Sequence, residues 1–430
     1  MSNTNKKIVI VQGLRTPFAK AGKELKNLHP SDLGAYNLKK LLLRLDFPQK
    51  EIEEVLIGNV ANLPDAANIA RVIALKSGLD KSISASTVHR NCASSLESLT
   101  VGFAKIKAGM MDTVIAGGVE SMSQIPLLFS SSLTAMLTKI MTAKTLQQKL
   151  KSLTSLRFSS FKPRIALLEA LTDPFTGILM GDTAEILARE FNISREKQDE
   201  FALQSHKKAI AAEKKLQEEI TPIFPKPDYP MISKDTGPRA NINVDRMKKM
   251  RPYFDKRYGT VTIANSCPIT DGSCLLVLMS EEKALSLGLK PLASIKAISF
   301  AGLEPERMGL GPVYSTHLAL QKAQLSLKDM GLIEINEAFA SQVLACLQAF
   351  NSSSFCKEKL QTSKALGEID PKILNVNGGA IALGHPVSAT GARLALTLAL
   401  EMKRKKVQFG LATLCIGGGQ GGSVILERYK

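Results

Sequence analysis

Residues 88–118 read as a polar loop, a helix and a strand: Val88-His-Arg-Asn-Cys92-Ala-Ser-Ser-Leu-Glu97 opens the helix, and Asp112-Thr-Val-Ile-Ala-Gly-Gly118 closes the unit. Leu96, Leu99, Phe103 and Ile106 recur at steps of three and four, which gathers them on one helix face. The β-branched run Thr113–Ile115, bounded by Gly117 and Gly118, is strand material. The same order returns near the other end. A loop around His385 opens a helix that runs from Leu394 to Met402 and closes on Lys403-Arg-Lys-Lys406; Phe409-Gly-Leu-Ala-Thr413 and Ile416-Gly-Gly-Gly419 follow. The basic residues there suit the negative end of a helix dipole. Two copies of one unit, each with a reactive side chain at a helix start, would meet at one shared site.

Working outward, the apolar runs Ile8–Val11, Val55-Leu-Ile-Gly-Asn59, Leu332–Ile335 and Ile373-Leu-Asn-Val376 alternate with amphipathic stretches. That alternation predicts an α/β protein with helices layered on a largely central sheet. A length of 430 residues fits two or three units, and 44% hydrophobic with 22% charged residues excludes disordered and fibrous classes. From Ser121 to Leu168 there is no Asp or Glu, while Lys139, Lys144, Lys149, Lys151, Arg157, Lys162 and Arg164 alternate with apolar residues. This stretch reads either as a solvated helical face or as a basic amphipathic hairpin that docks on an anionic membrane or a partner subunit. Asp182 to Glu219, with Ser194 placed before Lys197, reads as an ordinary surface helix pair.

The net charge of +17 points to nucleic acid, an anionic membrane or a polyphosphorylated ligand. The absence of Trp and an aromatic content of 5% leave nucleic acid without stacking platforms. Six Cys with no CxxC and no metal-ligand spacing argue against a disulfide scaffold or zinc site. No apolar run approaches the ~18 residues of a membrane span. The strand starting at Ile8 leaves no room for a leader, and Glu427-Arg-Tyr-Lys430 is no peroxisomal address, so a cytoplasmic location is expected.

Four segments carry chemistry. Cys92 at a helix start beside Arg90 is placed where a thiol pKa falls and a thiolate forms; the alternative is an inert buried cysteine. Asn377-Gly-Gly-Ala-Ile-Ala-Leu-Gly-His385-Pro-Val-Ser-Ala-Thr-Gly391 surrounds a histidine with small residues, as when backbone packs against a ligand. Thr413-Leu-Cys415-Ile-Gly-Gly-Gly-Gln-Gly-Gly422 puts a second cysteine in a Gly-rich turn, a feature that also serves as a tight bend or a phosphate cradle. Asn336-Glu-Ala-Phe-Ala340 follows the Ile333 strand, and Asn336 alone would read as a helix cap.

Together with Arg15-Thr-Pro-Phe18, Gly117-Gly-Val-Glu-Ser-Met-Ser123, Met180-Gly-Asp-Thr-Ala-Glu185, Arg251-Pro252 and Gly259-Thr-Val-Thr262, these segments resemble the thiolase family along essentially the whole chain, in order. The basic insert and the Met180 context are most similar to the degradative thiolases that form the beta subunit of bacterial fatty-acid oxidation complexes. The resemblance implies a thiolase fold: two duplicated βαβαβαββ halves in five layers (αβαβα) with an inserted loop domain. It divides the chain into an N-terminal half at 1–123, completed by about 252–275, a loop domain at 124–251 and a C-terminal half at 276–430. It also implies a homodimer or dimer of dimers, allows a hydratase/dehydrogenase alpha subunit as partner, and requires no resident cofactor or metal. Acyl-CoA and CoA are its substrates, and nucleic acid is not among its partners.

By the same resemblance Cys92 is the nucleophile, His385 its activating base and Cys415 the second acid and base. Asn336 holds a water in one oxyanion hole, while the N–H groups of Gly417 and Cys92 form the other. Arg239, from the basic run Arg239 to Arg257, contacts CoA, and Met180 lines the pantetheine tunnel; Cys267 and Phe339 complete the expected substrate-binding set. The chemistry would be CoA-dependent cleavage of 3-ketoacyl-CoA in β-oxidation, which needs a nucleophile, oxyanion donors and an acid for the departing enolate. The same fold also supports acetyl-CoA acetyltransferases, and a hydrolytic Cys-His-Asn triad would leave Cys415 unused. The chain departs from the family pattern at His89, at Ser94-Ser95, at Cys267, where a Ser or Thr is usual, and at Leu179, where short-chain enzymes carry His.

Overall fold

The computed structural model describes residues 6–154, 156–225 and 230–429. Nine strands of five or more residues are β1 (Ile8–Arg15), β2 (Glu54–Gly58), β3 (Ser84–Val88), β4 (Thr113–Ser121), β5 (Thr270–Ser280), β6 (Ala293–Gly302), β7 (Met330–Ile335), β8 (Phe409–Ile416) and β9 (Gln420–Arg428). They follow one another across the sheet as β7-β8-β9-β6-β1-β5-β4-β2-β3. That order is one pattern laid down twice. In the first copy β2 runs parallel to β3 and β4, and β5 runs antiparallel to β4 and β1. In the second, β7 runs parallel to β8, and β9 runs antiparallel to β8 and β6. The copies join edge to edge where β1 pairs with β6 through Val9↔Ser294 and Ile10↔Ala293.

The place of β3 in the second copy is taken by a single parallel bridge, Ile333↔Leu374. The strand expected over Ile373–Val376 is therefore cut short, for a local reason. Asn375 takes a left-handed φ of 42°, its side chain binds both the N–H and the carbonyl of Ile335, and Lys208 Nζ takes the Leu374 carbonyl at 2.7 Å. These side chains satisfy groups that a longer ladder would use.

The helices that matter are α1 (Pro30–Leu42), α2 (Ile69–Ser77), α3 (Ser94–Lys107), α4 (Ser131–Thr142), α5 (Leu146–Leu153), α6 (Met180–Glu190), α7 (Arg195–Ala211), α8 (Gly311–Ala323), α9 (Ala340–Phe350) and α10 (Thr390–Lys405). Alternation along β1 shows the layering: Ile8 and Ile10 belong to the central core, Val9 and Val11 to an outer one. In the centre, Leu96, Leu99 and Ile106 of α3 and Leu394, Leu398 and Met402 of α10 pack with Leu276, Leu278 and Leu414. The helices α1 and α2 cover the far face of the first half, and α8 and α9 that of the second. The result is the five-layer αβαβα arrangement with α3 and α10 as its middle layer, each buried leucine contributing about 1.5–3 kcal/mol.

Residues between β4 and β5 form the insert. A short antiparallel pair, Leu127–Leu128 with Arg164–Ile165, brackets α4 and α5, which expose Leu137, Met141, Leu146 and Leu150. Arg15 anchors the returning chain: fully buried, it donates to Glu219 at 2.6 Å and to both oxygens of Asp235 at 2.6 and 2.8 Å. Ser194 caps α7 by accepting from Lys197 N. The pair α6–α7 is not the surface feature its composition suggests, however, because Gln198, Asp199, Ser205 and His206 of α7 are buried and hydrogen-bond inward. The expected division at residue 275 also falls inside β5, which runs unbroken and buried from Thr270 to Ser280.

Candidate active site

The loop before α3 is shaped by its side chains. Asn91 takes a left-handed φ of 43°, a conformation Asn tolerates, and its Nδ2 donates to the Gly417 carbonyl at 2.8 Å. Ser94 Oγ accepts from Arg90 N and donates to the Asn91 carbonyl. Cys92 is thereby held beside the Gly417 turn, and the Gly417 backbone and its own act to lower its thiol pKa. The expected activation by Arg90 is not found. Arg90 donates to Glu97 at 2.8 Å and to Gln420 at 2.9 Å, and its guanidinium lies over the Phe300 ring at 4.2 Å. Burial dominates instead and pushes the Cys92 thiol up to about 11, so the resting group is a thiol that needs a base.

His385 supplies a ring of defined orientation. Its Nδ1 lies 2.7 Å from Thr390 Oγ1, and that hydroxyl reaches the Pro386 carbonyl at 3.3 Å. A hydroxyl that donates to a carbonyl accepts from the ring, so Nδ1 carries the proton and Nε2 keeps a free lone pair. Burial first, then the Arg393 charge, drives the imidazole pKa down to about 3, and the ring is neutral at pH 7. The starts of α3 and α10 meet here: Ser95 Oγ accepts from Ala392 N at 2.9 Å, and a Cβ at Gly391 would sit 2.7 Å from Leu96 N. Ser95 thus ties the two helix starts together. At Gly118 a Cβ would fall 2.0 Å from the Ser388 carbonyl oxygen, so only glycine lets β4 approach the His385 loop.

Cys415 lies at the end of β8, 2% exposed, in a small cluster with Ala338, Phe339 and Met180. Burial raises its thiol pKa strongly, and Cys92, Cys346 and Cys267 are near enough to add to the effect. Cys267 is likewise pushed up to about 12 by burial and then by Cys92, and its N–H donates to the Ala338 carbonyl at 3.0 Å. Met180 Sδ would be 3.1 Å from a Cβ at Gly417. Asn336 is not a helix cap, since α9 begins at Ala340. Its N–H binds the Thr413 carbonyl, and its buried Oδ1 and Nδ2 have no partner among the described residues. Cys92, Gly417, Cys415, Met180, Phe339 and Cys267 are therefore neighbours, and Asn336 is tied by its backbone to the strand that carries Cys415.

A cavity of about 260 Å³ adjoins this group, lined among others by Lys20, His206, Arg239, Arg246, Ser266 and Thr270. Thr270 Oγ1 accepts from His385 N at 2.8 Å, so the cavity reaches the His385 loop. Arg239 N donates to His206 Nδ1 at 3.2 Å, and burial followed by Arg239 lowers the His206 pKa to about 4. Three cationic side chains around one cavity suit an anionic ligand.

The family model "Thiolase, N-terminal domain" matches residues 8–282, and "Thiolase, C-terminal domain" matches residues 289–428. The chain belongs to the thiolase family. It is 39% identical over 424 residues to a 3-ketoacyl-CoA thiolase of Escherichia coli O157:H7 (strain EC4115 / EHEC), covering 98% of this chain and 97% of that one. It is 41% identical over 424 residues to a 3-ketoacyl-CoA thiolase of Yersinia pestis (strain Pestoides F), with the same coverage. Among solved structures, a Bacillus anthracis acetyl-CoA acetyltransferase aligns with a TM-score of 0.85 at 35% identity, covering 98% of this chain and 99% of that chain. The human mitochondrial 3-ketoacyl-CoA thiolase aligns at 0.84 and 33%, with the same coverage. In this thiolase-family chain, sequence reading missed Asn91, Thr390, Ser95, Lys20 and His206. Asn91 and Thr390 sit inside quoted motifs and could have been flagged as side chains able to bond their own loops. Lys20 and His206 join the site only through the fold.

Proposed function

We propose that this chain is a 3-ketoacyl-CoA thiolase that cleaves 3-ketoacyl-CoA with CoA, through an acyl-Cys92 intermediate, to acetyl-CoA and an acyl-CoA two carbons shorter. The observation that carries this reading is the tie between the Cys92 loop and the Gly417 turn, Asn91 Nδ2 to the Gly417 carbonyl at 2.8 Å, beside a second buried thiol, Cys415. His385, neutral and with Nε2 free, takes the Cys92 proton as the sulfur attacks the 3-keto carbon. His385 and a water held by Asn336 stabilise the alkoxide, and neither amide atom of Asn336 has another partner among the described residues. Carbon–carbon cleavage releases the acetyl-CoA enolate, which Cys415 protonates. Cys415 then deprotonates incoming CoA, whose thiolate attacks the acyl-Cys92 thioester. The Cys92 and Gly417 amides hold that second oxyanion, and removing such a donor typically costs roughly 100- to 1,000-fold in rate.

CoA is a substrate here, and no resident cofactor or metal takes part. Arg239, with Lys20 and Arg246 around the same cavity, receives its phosphates, while Met180, Phe339 and Cys267 line the way to Cys92. The first half is 1–123, the inserted loop domain is 124–251, and the join to the second half is placed after Ser280, where β5 ends. The working form is a homodimer or dimer of dimers in the cytoplasm, able to take a hydratase/dehydrogenase alpha subunit. The exposed apolar and basic side chains of α4 and α5 support contact with that subunit or with an anionic membrane surface, and charge reversal at Lys139 and Lys151 should abolish the contact without affecting soluble turnover.

A second reading, condensation of two acetyl-CoA molecules, is favoured by the likeness to an acetyl-CoA acetyltransferase. Kinetics with 3-ketoacyl-CoA substrates from four to sixteen carbons decides between them. Turnover extending beyond acetoacetyl-CoA supports thiolysis in β-oxidation; turnover of acetoacetyl-CoA alone supports the second reading.

A further inference from the structure

Arg393 is fully buried and lies three residues beyond Thr390 on α10, so its side chain shares a helix face with the hydroxyl that holds His385. Its Nη1 donates to Glu334 Oε2 at 3.1 Å, the two side chains being 0% and 3% exposed. Glu334 stands on β7 two residues before Asn336, and residues at that spacing face the same side of extended chain. One buried ion pair therefore connects the helix that orients His385 with the strand that delivers Asn336.

Building on the thiolase reading, we propose that Arg393 is a positioning residue: clamped by Glu334, it fixes His385 relative to Asn336. A guanidinium does not lose its proton in a protein. Its Nε and Nη2 have no hydrogen-bond partner among the described residues, so Glu334 alone fixes the guanidinium by a direct bond. Arg393 is the charge that acts on His385, and it adds to the effect of burial. Glu334 and Glu337 face Arg393 from β7 and the turn after it; burial raises both carboxyls and Arg393 pulls against that rise. The thiols of Cys92, Cys267 and Cys415, raised by burial, are uncharged at pH 7. A buried ion pair is a poor device for stability alone, because apolar replacements of similar volume are often as stable or more so. A positional role explains its place between the two oxyanion-binding groups.

The test uses full-length protein with Arg393→Lys, Arg393→Met and the double variant Arg393→Met/Glu334→Gln. Three readouts are needed: the thermal midpoint, kcat against KM, and the ¹³C NMR signal of labelled histidine rings, of which the chain has only five, with His385→Gln for assignment. The single Met variant strands a buried carboxyl group without its partner and should melt early; the double variant should melt close to wild type. Its kcat should still fall by at least about tenfold, with KM for CoA held within about twofold. Its His385 ring signal should also move away from that of wild type, because the ring is no longer held in the same place. Arg393→Lys should keep most of kcat and the wild-type ring signal. A double variant that regains both stability and kcat with an unmoved His385 signal overturns the proposal, as does a folded Lys variant that behaves like the Met variant. If wild type turned over no 3-ketoacyl-CoA, the thiolase reading would fail, and the histidine signal alone would decide the role of Arg393.

Discussion

Thr390 holds His385 in one tautomer: its hydroxyl lies 2.7 Å from His385 Nδ1 and 3.3 Å from the Pro386 carbonyl, so the ring nitrogen left free is Nε2. A base whose free nitrogen is fixed before substrate arrives spends no energy reorienting in the transition state. Thr390→Val keeps the shape and removes the hydroxyl, and kcat should drop about tenfold to hundredfold with KM little changed. Thr390→Ser should stay within about threefold of wild type, and steady-state kinetics of both variants checks the pair.

Gly118 is fixed by contact with the same loop. A Cβ there would lie 2.0 Å from the Ser388 carbonyl oxygen, so Gly118→Ala must displace either β4 or the residues after His385. Overpacking of this kind costs about 1–3 kcal/mol, and kcat should fall in the variant that still folds. Denaturant melts and turnover on the same preparation measure both effects.

Arg15 spans Glu219 and Asp235 with every partner buried, clamping the returning insert onto β1. Arg15→Met leaves two buried carboxylates without their cation, and stability should fall by about 3–5 kcal/mol, read from urea unfolding.

His206 gives a signed pH prediction. Its pKa is about 4 in the folded chain against 6.5 as the ordinary value, so between these pH values the unfolded chain binds a proton that the folded chain refuses. Its contribution to stability is therefore lost as pH falls from 6.5 toward 4 and is constant above 6.5. Glu120, raised by burial to about 7, acts in the opposite sense, so the informative quantity is a difference. Wild-type stability minus that of His206→Gln should rise with pH across the window and then level off, as seen in unfolding curves at a series of pH values.

The repeated loop–helix–strand unit was readable because glycine and β-branched residues mark strand ends and apolar residues mark the inner face of α3. The sheet order confirms the duplication that this repeat implied. What sequence reading missed depends on contacts that are distant along the chain. Ile373–Val376 has strand composition, yet the side chains of Asn375 and Lys208 take up its hydrogen-bonding groups. Arg90 adjoins Cys92 in sequence, but Glu97, Gln420 and Phe300 draw it away, and so the thiol pKa rises where helix-start logic alone predicts a fall. The polar inner face of α7 is hidden in a charged helix because its partners, Glu337 and Thr260 among them, come from other segments.

In the proposed reaction Cys92 carries the acyl group. Brief mixing of the protein with 3-ketohexadecanoyl-CoA in the absence of free CoA, followed by acid quench and peptide mass spectrometry, measures it directly. A tetradecanoyl thioester is expected on the Cys92 peptide, with acetyl-CoA released in equal amount and no adduct in Cys92→Ser. Acetyl-CoA release in wild type with Cys92 unmodified, or undiminished release in Cys92→Ser, would contradict it.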